Sequence, residues 1–107
     1  MWYAANLLYR SIHTPTDLSP TVWEESVRLI QAQNEAEARQ EAEAIGRAEA
    51  HSYEVEGGTV AWVFERVERL FAITDEHLRS GSEVFSRYLR DSEVKSLLTP
   101  FVDKSSH

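Results

Sequence analysis

Six side chains in this 107-residue sequence have types and spacings that chemistry could use: Arg10, Glu25, His51, Tyr53, Glu65 and Arg87. Strand alternation puts His51 and Tyr53 on one face, where an imidazole beside a phenol can act as general acid or base. Glu25 and Glu65 each interrupt an apolar parity, so a polar pocket with perturbed carboxylates is one reading. Arg10 and Arg87 complete the candidate set. The plainer reading makes His51 a half-buried residue at a helix-to-strand junction. It also makes Glu25 and Glu65 members of cross-strand ion pairs with Arg10, Arg28, Arg66 or Arg69, and such exposed pairs are common and weak.

Other chemistries find less support. His13, His51, His77 and His107 stand at no metal-ligand spacing, and there is no HExxH pattern. With no cysteine, disulfides and thiolate metal sites are excluded. Ser11, Ser26, Ser52 and Ser86 lack the Gly-x-Ser-x-Gly context of a nucleophile elbow, and no phosphate-binding glycine loop occurs. No cofactor, metal site or catalytic residue is assigned. The leading expectation is a non-enzymatic protein-interaction or accessory module. A small-molecule-binding or enzymatic domain built on the six residues is the alternative.

The net charge of −7 opposes attraction to nucleic acid or anionic lipid, so neither is expected as a partner. Arg87, Arg90 and Lys95 come closest to a basic patch. The N-terminal residues do not resemble a signal peptide, and no apolar run approaches the roughly 20 residues of a membrane helix. A cytoplasmic protein is expected, with one domain over 1–102 and a frayed polar tail over 103–107.

The elements that must position these residues follow from periodicity. Trp2 to Ile12 reads as a strand apolar at both parities: Trp2, Ala4, Leu8 and Ile12 on one face, Tyr3, Ala5, Leu7 and Tyr9 on the other. His13 to Pro20 reads as a loop. In a second strand, Val22 to Ala32, Trp23, Val27 and Leu29 define the inner parity, with Glu25 as the exception. Asn34 followed by Glu37 is a capping box opening a helix to about Ala50, with a narrow stripe of Ala38, Ala42, Ile45 and Ala48 or Glu49. Gly46 inside it implies a close backbone approach or a nearby helix end.

Gly57-Gly58 joins two further strands, His51 to Glu56 and Thr59 to Ile73, as a tight hairpin. In the longer one, Val60, Trp62 and Phe64 share one parity, whereas Val67, Phe71 and Ile73 take the other. A bulge near Glu65-Arg66 or burial on both faces explains the change. Ser80-Gly81-Ser82 reads as a turn, residues 83–90 fit either helix or strand, and Asp91 to Leu98 reads as a last helical turn before Pro100. The many aromatic residues are read as core, with any exposed ones marking a protein-binding patch.

Several stretches resemble the bacterial family called domain of unknown function 4288: Trp2-Tyr3-Ala4-Ala5-Asn6-Leu7-Leu8-Tyr9, Trp23-Glu24-Glu25-Ser26-Val27-Arg28-Leu29-Ile30, His51-Ser52-Tyr53 and Glu83-Val84-Phe85-Ser86-Arg87. The resemblance runs from Trp2 to about Leu89. It implies a small bacterial protein and hands over no catalytic residues. The fold expected is α+β: an antiparallel sheet of about four strands in the order β-β-α-β-β, one main helix on one face, and a short C-terminal helical or mixed segment. That order matches the ferredoxin-like arrangement only loosely, because the first connection lacks a helix. The second sheet face needs a cover, which the C-terminal segment or a second copy of the chain would supply, and a homodimer is expected.

Overall fold

The computed structural model describes residues 1–15 and 21–99. It is the expected α+β fold: β1 (Trp2–Thr14), β2 (Trp23–Gln31), α1 (Glu35–Glu49), β3 (His51–Val55), β4 (Gly58–Ile73) and α2 (Asp91–Leu98). The four strands form one sheet in the spatial order β2-β1-β4-β3, every neighbouring pair antiparallel. β1 is therefore an inner strand with long β4 beside it, and its apolar residues at both parities reflect cover on both faces: Tyr3 to Leu7 are all buried. The strand continues to Thr14, so the connection expected from His13 starts later; residues 16–20 lie outside the described residues. The tail expected over 103–107 lies outside them too.

One sheet face carries α1. Tyr3, Ala5, Leu7 and Tyr9 of β1, Ile30 of β2 and Val67 of β4 meet Ala38 and Ala42, with Phe64, Trp62, Leu70 and Ile45 packed around them. Alanine adds little bulk, so the helix settles close to the strands and the large side chains of β1 and β4 fill the layer. The Asn34 side chain accepts a hydrogen bond from the Glu37 amide at 2.8 Å, capping the helix. Among the described residues, the reciprocal bond from the Asn34 amide to the Glu37 carboxylate is not made. Gly46 resolves as a close approach: a Cβ there would overlap the Phe64 ring, while the helix runs on to Glu49. Gly46 thus completes the buried stripe, and Ala48 and Glu49 remain exposed.

β4 contains two bulges. Its register against β1 shifts between Asn6 and Leu7 and again between Leu8 and Tyr9, leaving Glu68 and Glu65 as extra residues. The bulge expected near Glu65 is present, and the second one corrects the expected parity. Val67 lies opposite Leu7 on the helix side with Phe64, whereas Phe71 and Ile73 pair with Ala4 and Trp2 on the far side. Two flips cancel beyond Glu68.

The β3–β4 hairpin is tight as expected, but its two turn residues are Glu56 and Gly57 rather than Gly57 and Gly58, since Gly58 already pairs with Val55. The Gly57 φ of 88° is the left-handed conformation glycine adopts without strain. Beyond β4, residues 74–90 are neither helix nor strand, settling the open choice over 83–90; Gly81, with a φ of 92°, marks a turn closed by the Ser82 amide on the Arg79 carbonyl. α2 follows and touches no other element among the described residues.

Candidate interaction face

The sheet face turned away from α1 carries Trp2, Ala4, Asn6, Leu8, Arg10 and Ile12 of β1, flanked by the odd-numbered residues of β2. It divides into two halves. Near the start of β1, Ala4 and Ile73 are buried, and the chain after β4 returns to lay Phe85 edge-on against Phe71, ring centroids 6.0 Å apart. The C-terminal segment thus covers part of this face. Towards the other end and the β2 side, Trp23 and Val27 remain 52% exposed and Leu29 50%. This reverses the inner parity expected for β2: the helix lies over Ser26, Arg28 and Ile30, and the apolar row points the other way.

Polar groups on this face make local bonds. Arg10 sits with its guanidinium 5.9 Å from the Trp23 ring centroid and its Nε 3.5 Å from the Glu65 carboxylate. Both partners of that pair are about two-fifths exposed, so its contribution is at most about 1 kcal/mol. The Glu25 carboxylate accepts from Asn6 Nδ2 at 3.2 Å, and the buried Asn6 Oδ1 has no hydrogen-bond partner among the described residues.

His51 and Tyr53 lie on the opposite, helix-bearing face, as their register with Trp62 and Val60 requires. Their rings stack at 6.0 Å, Trp62 Nε1 donates to Tyr53 Oη at 3.4 Å, and His51 Nδ1 stands 3.1 Å from the Glu49 carbonyl oxygen, to which the Nδ1-protonated tautomer donates. His51 is exposed, where a half-buried residue was expected. Arg87 is exposed in the segment after β4. The structure therefore brings Arg10 and Glu65 together, sets Glu25 nearby, and separates all three from His51 and Tyr53 by the sheet. Among the described residues, no three His, Cys, Asp or Glu side chains gather where they could hold a metal ion.

A feature that sequence reasoning missed is the edge of β2. The Ser11 amide donates to the Val22 carbonyl and the Ala32 amide to the Met1 carbonyl, each at 3.0 Å, so even-numbered residues of β2 turn their backbone groups towards β1. Ladder geometry then turns the amides and carbonyls of Trp23, Glu25, Val27, Leu29 and Gln31 outward, where β2 is the outermost strand. The residues with exposed apolar side chains are those with outward-facing backbone.

The family model described as Domain of unknown function (DUF4288) matches residues 2–86, a stretch holding all four strands, α1 and Phe85. The chain belongs to the DUF4288 family. No curated protein and no solved structure matches it. The DUF4288 match includes the exposed row on β2 and stops short of α2. No helix is long and apolar enough to cross a membrane among the described residues.

Proposed function

We propose that this DUF4288 chain is a non-enzymatic protein-interaction module that binds through β2. The observation behind this is the coincidence of Trp23, Val27 and Leu29, each about half exposed, with an outward-facing strand edge. An added strand takes its affinity from main-chain hydrogen bonds and its selectivity from alternate side chains, and β2 offers both. The exposed apolar row, interrupted only by Glu25, is the kind of surface that marks a contact on a small domain. The charge of −7 works against nucleic acid and anionic lipid, which favours a protein partner, and a chain without cysteine suits a reducing cytoplasm.

Photo-crosslinking in cells that carry the gene natively tests the reading. A photoreactive side chain at position 23 is expected to give a protein adduct; the same group at position 41, exposed on α1, is expected to give none. Equal labelling at both positions, or no adduct at 23, overturns it.

A further inference from the structure

We infer that the partner of β2 is a second copy of this chain, with the two β2 strands antiparallel about a twofold axis at Ser26. This rests on reading β2 as the interaction surface and names its occupant. A twofold contact requires a strand complementary to its own reverse. About Ser26, Trp23 falls opposite Leu29 of the second copy, Glu24 opposite its Arg28, and Glu25 opposite its Val27.

On the helix side each Glu24 then faces an Arg28, which within one copy meets Glu49 of α1 at 3.5 Å and would be shared between the two carboxylates. The apolar rows of both copies run together on the other side. Neighbouring axes fit worse. An axis at Glu25 sets that carboxylate against its own copy, and one at Val27 sets Trp23 against Gln31 and Glu24 against Ile30. The outward backbone groups match as well: Trp23, Glu25, Val27 and Leu29 would face residues of the same outward set. α1 lies chiefly over β4 and reaches β2 at Ile30 and through the Arg28–Glu49 pair. The contact is short and self-association is expected in the micromolar range.

A unique thiol reads the register, since the chain contains no cysteine. Ser26 would meet its own copy as a non-hydrogen-bonded pair with Cα atoms about 4.5 Å apart, within disulfide reach. Gln31 would lie about 34 Å from its own copy along the strand. Under mild oxidation Ser26→Cys is expected to form a covalent dimer at least tenfold faster than Gln31→Cys. Glu24→Arg and Arg28→Glu are each expected to weaken self-association roughly tenfold, and mixing the two variants to restore it, because unlike charges again face each other in the mixed dimer.

Equal crosslinking at 26 and 31, no rescue on mixing, or a monomeric wild-type mass at about 100 μM by light scattering overturns the second copy as partner. If the wild type is monomeric while position 23 captures a different protein, or the chain's own C-terminal segment, the self-pairing falls. Capture of a different protein leaves the interaction reading standing; absence of any adduct at 23 removes that reading itself.

Discussion

The Tyr9 hydroxyl donates to the Gly46 carbonyl oxygen at 3.1 Å, joining an inner strand of the sheet to the last turn of α1. That carbonyl is available because the Ala50 amide bonds instead to Arg47, at 3.3 Å. Tyr9 thus satisfies one of the carbonyls that a helix end leaves without an internal partner. The same glycine lies against the Phe64 ring, which tilts on Tyr9 at a centroid distance of 5.6 Å.

Gly46→Ala should destabilise the fold. In an open helix the change gains about 1 kcal/mol, but here the new methyl enters the Phe64 ring, and overpacking of this kind costs about 1–3 kcal/mol. Urea denaturation should show a lower midpoint for Gly46→Ala, and the double variant with Phe64→Leu should recover part of the loss. A midpoint above wild type would contradict the close approach.

Tyr9→Phe removes the hydroxyl and leaves the Gly46 carbonyl without its partner, at a cost of about 1–3 kcal/mol. Burial pushes the Tyr9 hydroxyl above the usual tyrosine value; nearby Arg28 opposes this, and Glu49 and Glu24 add to it. A raised value in the folded state means the fold prefers the neutral phenol. That contribution is complete below about pH 10 and is lost as the pH rises through the folded-state value. Stability measured from pH 8 to 11 should fall at the alkaline end, and Tyr9→Phe should flatten that fall.

Asn34→Ala should cost about 0.5–2 kcal/mol, because the Glu37 amide loses the side-chain oxygen that caps it. Asn34→Asp should retain most of the stability, since a carboxylate also accepts from that amide and suits the positive helix end. Thermal melts of the three proteins, monitored by circular dichroism, decide the order.

Glu93 holds α2 together locally. Its carboxylate accepts from the Arg90 backbone amide and from Arg90 Nε, both at 3.0 Å, and these bonds, the backbone one foremost, hold it below the usual glutamate value. The support is present above the ordinary glutamate pKa and is lost as the pH falls through the lowered value. Because α2 packs on no other element among the described residues, Glu93→Ala should leave the global melting temperature unchanged while amide exchange in Asp91–Leu98 accelerates. A drop in global melting temperature would show that α2 is docked.

Much of the fold was legible because its signals are local. Asn34 announces the helix start, Gly57 the hairpin, and the two parities of β1 a strand covered on both faces, since each depends on a few neighbouring residues. Of the six candidate side chains, the sequence anticipated the ion pair of Glu65 with an arginine across the sheet. It could not separate the carboxylates from His51 and Tyr53, because strand order and register decide which side chains share a face. β2 shows the boundary most clearly. Its alternation was evident, yet the row of Trp23, Val27 and Leu29 was assigned inward, because apolar residues are expected inside.

The sequence alone determined the four strands and two helices and, β4 apart, how each divides into faces, because backbone preference and periodicity act over a few residues; it left residues 83–90 open. Only the tertiary structure decided which face of the sheet α1 covers. The Tyr9–Gly46 bond and the Phe64 contact draw the helix to one side. It also decided that two bulges in β4 cancel and that β2 ends the sheet. Those outcomes depend on contacts between residues far apart in the chain, whose pairing no local pattern encodes. The exposed edge proposed as the interaction surface is one of them.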